Sequence, residues 1–328
     1  MERVSSFSGC PLHRRAKTLI LELPALVSQL ISPRSGEKPL SFIGVRNTKP
    51  VFLAFRERSR DPDFVVTVGG EEDVKRLHDV LLRLHRTIPK LTAESIAVAG
   101  LPDGRFIHLR SAVPGVSLNS LAGSLHRDDC RRLRARALDV LRELHATIDA
   151  VPPWHSRISP SGELRQQLGI CSKHGVALSL RALEFADSCV EDLARLGELT
   201  CHWQHGDFST TNLMVAGGDL RIIDFDEFGL TSMPLHDQFG LALSTHELIS
   251  SDGPWGPLPN DVQACLAPVL SAQPTLAGHV HGLFVHHLLW NVSQFHSQRS
   301  RARRVKTVLN LLEEFAAAPE KYLPPRAS

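Results

Sequence analysis

Two oxygen-bearing segments stand close together in this 328-residue chain: His205-Gly206-Asp207-Phe208-Ser209-Thr210-Thr211-Asn212, and Arg221-Ile222-Ile223-Asp224-Phe225-Asp226-Glu227-Phe228-Gly229. Between them lie a short apolar run, Leu213 to Val215, a turn, Ala216-Gly217-Gly218-Asp219, and a second apolar run ending at Ile223. That order predicts a β-hairpin. With Val215 opposite Leu220, the pairing continues through Leu213 with Ile222 to Asn212 with Ile223, so Asn212 and Asp224 should lie within roughly 5–8 Å of each other. Two oxygen ligands with no cysteine or second imidazole suit a hard cation such as Mg²⁺, which takes few protein groups and shares the rest of its shell with phosphates and water. Asp207, five residues before Asn212, can stand beside that pair without joining it. Its carboxylate is then available to orient an attacking hydroxyl and accept its proton.

These two segments resemble the catalytic loop and metal-binding segment of the aminoglycoside phosphotransferase and choline kinase-like family, a branch of the protein-kinase-like fold. The resemblance implies that Asp207 is the catalytic base, that Asn212 and Asp224 hold the Mg²⁺, and that His205 braces the loop. Pro234-Leu235-His236-Asp237 resembles the start of the family helix whose aspartate holds the catalytic-loop backbone, which gives Asp237 a structural role. The fold implied is α+β and two-lobed: a lead-in and small β-rich lobe over residues 1–110, and a larger helical lobe over 111–328, with ATP in the cleft. The function implied is transfer of the γ-phosphoryl group of ATP to a hydroxyl of a small molecule.

The elements that must position these residues can be followed along the chain. A helix is expected from Ala16 to Gln29, kinked or ended near Pro24. Leu40 to Val45, Val51 to Phe55 and Phe64 to Val68 then predict a three-stranded meander. In the family the turn from Gly44 to Lys49 would cover phosphates, although it holds a single glycine. At the family's strand-lysine position this chain has Thr67, and a hydroxyl cannot replace an ammonium; Lys49 or Arg56 could supply the charge. Failing that, the competing reading is a catalytically silent, pseudokinase-like nucleotide- or ligand-binding protein. Glu71-Glu72-Asp73 opens a helix to about His85, with its acids at the positive end. Arg105 to Leu109 is another strand; Val113-Pro114-Gly115-Val116-Ser117-Leu118 after it resembles the family's segment just beyond the interlobe hinge, which implies that Arg110, Ser111 and Ala112 offer backbone groups to adenine. A long amphipathic helix runs from Arg127 to Ile148, with His145 as a structural residue. Pro152 to Gly162 reads as a loop, and Leu164 to Leu199 as one or two helices.

Composition narrows the remaining classes. With 42% hydrophobic and 22% charged residues the chain is ordinary for a globular protein, and its six cysteines show no CxxC and no tight clustering. That argues against a zinc site or disulfide framework and makes a reducing cytoplasm the expected compartment. Glu22 and Pro24 interrupt the apolar run behind Arg14, Arg15 and Lys17, which argues against a signal peptide. The net charge of +2 is unevenly spread: residues 222–298 contain seven acids and neither Lys nor Arg, a charge of −7, so the remainder carries +9. Such a segment beside the metal pair could favour a cationic acceptor, amine-bearing alcohols first. Leu276 to Gln298 is apolar, but its five histidines and Asn291 make it a poor membrane span and a better buried helix. Arg299, Arg301, Arg303, Arg304 and Lys306 open the last helix as a solvated face, without the interleaved aromatics that nucleic-acid stacking needs. Neither nucleic acid nor membrane is expected as a partner.

Overall fold

A computed structural model describes residues 23–31, 40–45, 49–121, 124–151, 154–249, 259–296 and 302–323. Residues 16–22 of the expected first helix, Arg46 to Thr48 of the phosphate-covering turn, Asp252, Arg299 and Arg301 lie outside these described residues. The chain divides into two compact units, Met1–Pro114 and Gly115–Ser328.

The first unit is built on one antiparallel sheet. Its strands are β1 (Leu40–Val45), β2 (Val51–Arg56), β3 (Phe64–Gly69), β4 (Ser95–Gly100) and β5 (Phe106–Ser111), ordered β1-β2-β3-β5-β4. The meander is the expected one. β4 was not anticipated: in Ser-Ile-Ala-Val-Ala-Gly only Ile96 and Val98 are branched, and the intervening alanines and closing glycine are residues depleted in strands. One face of the sheet buries Phe52, Ala54, Phe64, Val66, Val68, Ile107 and Leu109 against Leu23, Val27 and Ile31, an i, i+4, i+8 stripe on the helix α1 at residues 23–31. The other face is covered by α2 (Glu71–Thr87), through Val74, Leu77, Leu81 and Leu84. A polar chain crosses that second layer: His78 Nδ1 lies 2.7 Å from Ser95 Oγ, which lies 2.7 Å from Nε2 of the fully buried His108.

The second unit holds two small sheets, β6 (Val116–Ser117), β9 (Leu213–Ala216) and β10 (Asp219–Ile222) in one, β7 (His155–Ile158) and β8 (Leu199–His202) in the other. Around them stand α3 (Leu118–Leu121), α4 (Arg127–Asp149), α5 (Pro160–Lys173), α6 (Leu180–Ala194), α7 (His236–Ile249), α8 (Pro259–Ala272), α9 (Val280–Phe295) and α10 (Ala302–Ala317). The stretch read as a loop after Pro152 contains β7, a polar His-Ser-Arg strand whose partner begins at His202, 47 residues away at register His155↔His202. No local pattern signals such a strand. α9 is the hub: every residue except Gln294 is buried, and it packs on α5, α6, α7 and α10. Apolarity all round a helix is the mark of an interior position. Among the described residues no helix is long and apolar enough to cross a membrane.

The His78–Ser95–His108 chain generates a stability prediction. Ser95→Ala removes the hydroxyl that both rings share and leaves buried imidazole nitrogen without it, which costs about 1–3 kcal/mol. Urea denaturation should register the loss, whereas Ser95→Thr, which keeps the hydroxyl, should recover most of it.

Candidate active site

The hairpin forms in the expected register. β9 and β10 pair with Val215 opposite Leu220 and Leu213 opposite Ile222, and the N–H of Ile223 donates to the carbonyl of Asn212 at 3.0 Å. The two-residue turn is Gly217-Gly218, with φ of +58° and +89°, the left-handed values that a tight hairpin turn of this kind demands. Arg136 of α4 anchors it from below, donating to the Gly218 carbonyl and pairing with Asp219 at 3.4 Å. Asn212 therefore enters the hairpin directly beside the residue before Asp224. Asp224 itself adopts φ +62°, a left-handed conformation that aspartate tolerates better than bulkier residues and that turns the chain sharply out of β10.

Asn212 and Asp207 are locked together. The Asn212 amide nitrogen donates to both the Asp207 carbonyl, at 2.9 Å, and its Oδ2, at 3.1 Å. With Nδ2 committed in this way, the amide oxygen is the end of Asn212 left to face a cation. That orientation, with Asp224 directly after the residue whose N–H donates to the Asn212 carbonyl, suits the oxygen ligands that Mg²⁺ supplements with phosphate and water. Among the described residues no cluster of three or more His, Cys, Asp or Glu is arranged to hold a metal ion.

His205 ties the two segments to each other. Its Nδ1 accepts from the backbone N–H of Asp207 at 3.4 Å, and its Nε2 lies 3.2 Å from the carbonyl of Ile223, so one ring spans from the loop to the residue before Asp224. The ring sits in an apolar wall, 4.7 Å from Phe225 and 5.8 Å from Phe208, both of them buried. Gly206 has φ +89°, and a Cβ there would stand 2.7 Å from the Glu227 carbonyl oxygen. Any other residue at 206 would push the two segments apart.

The first two residues of α7 clamp this glycine from both ends. Asp237, completely buried, accepts from the N–H groups of His205 at 2.7 Å and Gly206 at 3.0 Å, and its Oδ2 is 3.0 Å from His145 Nε2. His236 Nε2 donates to the Gly206 carbonyl at 3.1 Å. Burial taken alone would raise the Asp237 carboxyl. The hydrogen bond and charge of His145, with smaller electrostatic contributions from His205 and His236, reverse this and hold it far below the usual carboxylate range. Leu235, just ahead, sits at φ +64°, a strained value for a branched side chain that sets the pair in place. His236 was not singled out from sequence, although its position beside Asp237 at a helix start is the available signal.

Behind α7 lies a layer of buried imidazoles. The His236 ring is 4.5 Å from that of His287 and 6.3 Å from that of His286, both on α9. Burial lowers all three, His286 to about 3, and lowers His202 to about 4 with help from the neighbouring His145 charge.

The residue that sequence reasoning placed elsewhere is Arg304. It lies on α10 among cations read as a solvated face, yet its Nη2 donates to Asp207 Oδ1 at 3.2 Å and to Asn291 Oδ1 at 2.9 Å. Its guanidinium stacks 4.9 Å from the centre of the Phe295 ring. Nothing in the local run of arginines distinguishes this one from Arg303.

The residues read as nucleotide contacts belong to the first unit. Thr67 is buried in β3, opposite Val51 on one side and His108 on the other. Lys49 sits at the same end of β2, since the neighbouring Pro50 carbonyl accepts from Val68 N–H at 3.0 Å. Arg56 is at the opposite end of that strand, paired with Asp63 at 3.7 Å and set over the Phe64 ring, about 16 Å along the strand from Val51. Of the two candidate cations, only Lys49 adjoins Thr67. Arg110 pairs with Val65 and Ser95 inside the sheet. The N–H groups of Ser111 and Ala112 donate to the carbonyls of Glu94 and Asp63, at 2.9 Å each, so their carbonyls are what these residues have left to offer a base.

The buried histidines make stability pH-dependent with a definite sign. A histidine whose folded value is about 4 or 3 stays neutral while the unfolded chain takes up protons below its ordinary value near 6.5. Stability is therefore fully present above that value and falls as the pH drops from 6.5 towards 4, by on the order of 1 kcal/mol per pH unit for each such ring. Asp237, held low, adds a loss of the same sign only below about 3.8. Urea midpoints measured between pH 7.5 and 4.5 should decline through this window; a flat profile would show that the rings are not held neutral.

Comparison with known proteins places this arrangement. None of the curated proteins searched matches the chain. Among solved structures, a thermostable mutant of the aminoglycoside phosphotransferase APH(4)-Ia, in ternary complex with AMP-PNP and hygromycin B, matches with a TM-score of 0.58 at 13% identity, covering 89% of this chain and 98% of that one. A choline/ethanolamine kinase family protein from Mesorhizobium loti matches with a TM-score of 0.57 at 16% identity, covering 94% of both chains. The GDP and kanamycin complex of APH(2")-IIIa gives 0.57 at 15% identity, covering 89% of this chain and 98% of that one. At such identities these likenesses establish the kinase-like α+β fold. The family model of the phosphotransferase enzymes, APH, matches residues 55–244, more than half of the chain and the span from the end of β2 to the clamp on α7, so this protein belongs to the phosphotransferase enzyme family.

Proposed function

We propose that the protein is an ATP- and Mg²⁺-dependent kinase of a small hydroxylated molecule, with Asp207 as the catalytic base and Asn212 and Asp224 as the metal ligands. The observation that carries this reading is the Asp207–Asn212 lock: the amide nitrogen that orients the Asp207 carboxylate leaves the amide oxygen of the same side chain free to face a cation. The acceptor hydroxyl, hydrogen-bonded to Asp207, attacks the γ-phosphorus. A new O–P bond forms as the bond from that phosphorus to the β–γ bridging oxygen breaks, its electron pair leaves on ADP, and the hydroxyl proton passes to Asp207. When bound, Mg²⁺ supplies neutralisation of the phosphate oxygens. The work of the chain is to hold the base still. His205, His236 and Asp237 fix the loop backbone so that Asp207 needs no reorganisation when the hydroxyl arrives.

In this reading residues 1–110 form the nucleotide-covering lobe, with Lys49, Thr67 and the stretch Arg110, Ser111, Ala112 as nucleotide contacts, and residues 111–328 carry the catalytic loop and acceptor site. Relatives of this fold have been crystallised with AMP-PNP and ADP, which supports a nucleotide as the donor. Buried Thr67 keeps a second reading in view, a silent nucleotide-binding protein, since no ammonium occupies the family's strand-lysine position. Lys49, beside Thr67, is our assignment for the missing charge.

Two experiments follow. ADP release from Mg·ATP over a panel of hydroxylated compounds tests the activity. Asp207→Asn should cut turnover about 10²–10⁴-fold with Mg·ATP affinity nearly unchanged, the usual span for a positioned general base. Asp224→Ala should instead weaken metal-dependent nucleotide binding itself; full activity in Asp207→Asn would refute the assignment. For the phosphate grip, calorimetric titration of Lys49→Ala should show Mg·ATP affinity reduced about five- to thirty-fold, the loss of one charge-assisted contact worth ~1–2 kcal/mol. An unchanged affinity, together with no turnover on any acceptor, would favour the silent protein.

A further inference from the structure

Arg304 stands where the acceptor must bind. Asp207 Oδ2 accepts from Asn212 and Oδ1 from Arg304 Nη2 at 3.2 Å, so a hydroxyl that approaches Oδ1 does so beside the guanidinium. The guanidinium is built into place: Asn291 receives the same Nη2 at 2.9 Å, and Phe295 supports it 4.9 Å away. Asn291 is in turn fixed by its donor bond to the His287 carbonyl at 2.9 Å, and the His287 ring packs on His236, which grips Gly206. The contacts run from the catalytic loop through α7 and α9 and back to the catalytic base.

Both of those bonds use Nη2. Nη1 and Nε have no protein partner among the described residues, and the Arg304 side chain is 42% exposed, so a fixed guanidinium keeps N–H donors beside Asp207 for a ligand, each on a different side of the group and each good for a single bond. The first turns of α10 add the exposed Arg303 and Lys306 and hold no acid in the first turn, although cations at a helix N-terminus oppose the backbone dipole. A charge pattern that works against its own helix is expected where a ligand compensates for it. Two of the seven acids that suggested a cationic acceptor are committed elsewhere: Asp237 is buried beneath the loop on His205, Gly206 and His145, and Asp224 is assigned to the metal pair.

We propose that Arg304 selects the acceptor, and that the acceptor is a small hydroxylated molecule bearing an oxyanion, a carboxylate or a phosphate, close to the hydroxyl that is phosphorylated. The charge and the remaining N–H donors of the guanidinium attract such a group, through single charge-assisted bonds, and repel an ammonium in the same place. This rests on the assignment of Asp207 as the acceptor-side base.

Equilibrium binding tests the selection separately from turnover. Isothermal titration with glycerate and glucose 6-phosphate (carboxylate and phosphate arms), glycerol (neutral), and choline and kanamycin (cationic), in the presence of Mg²⁺ and AMP-PNP, should show that the anionic members bind tightest. Arg304→Gln should weaken the better anion about ten- to a hundredfold, the effect of losing a charge-assisted hydrogen bond. Arg304→Lys should fall between the two, and Arg304→Glu should shift preference towards choline or kanamycin; circular dichroism confirms that each variant is folded. Tighter binding of the cationic members by the wild type, no anion binding at 10 mM, or anion affinity indifferent to Arg304→Gln would each overturn the inference. ADP release on the same panel judges the kinase reading separately: Arg304-dependent anion binding without turnover would fault that reading, and with it the ligand's role as acceptor, whereas turnover of an anionic member that falls in Arg304→Gln supports both.

Discussion

A single buried carboxylate holds the catalytic loop in shape. Asp237 is wholly removed from water, and a lone carboxylate in that position would be strongly disfavoured. It is tolerated because every stabilising group it needs is aimed at it: two consecutive backbone N–H groups from His205 and Gly206, and the ring of His145. The dependence runs both ways. Those N–H groups belong to a loop with no regular secondary structure, and without an internal acceptor they would be orphaned donors in a dry interior. The charge thus specifies the loop, and the loop makes the charge bearable.

From that contact the rest of the site follows by short steps. Gly206 is pressed against Glu227 more closely than any side chain allows, which brings the loop onto the segment after β10. His205 spans the remaining gap from Asp207 to Ile223, and the hairpin register sets Asn212 beside the turn into Asp224. Neutral histidines suit this setting. His236 and His287 are pressed ring to ring behind the loop, where two charged imidazoles would repel, and burial is what keeps them uncharged.

The charges near Asp207 are arranged in two sectors. In the proposed reading Asp224 and the Asn212 oxygen form the cation-binding side, and Arg304, supported by Asn291 and Phe295, the side that receives an anion. The uneven charge seen along the chain, −7 over residues 222–298 against +9 elsewhere, is consistent with two such sectors but does not locate them. An acid's effect depends on what it faces in space. Asp237 contributes to that sum, and its field is absorbed by the backbone it binds.

What was legible in the sequence was local. The spacing from Asp207 to Asn212, the Gly-Gly turn and the apolar runs determined the hairpin and its register, because strand pairing across a two-residue turn leaves little choice. The Phe64 to Val68 strand, the acidic start of α2 and the all-round apolarity of α9 were readable for the same reason, each being a periodic pattern within one element. Contacts between residues far apart in the chain left no such trace. The pairing of polar β7 with β8, the grip of His236 on Gly206 and the reach of Arg304 across 97 residues to Asp207 were decided by tertiary packing alone. A lysine-and-arginine run reads the same whether every member faces water or one of them turns inward; which one turns is set by where α10 meets α9, and Asn291 and Phe295 are there to receive it.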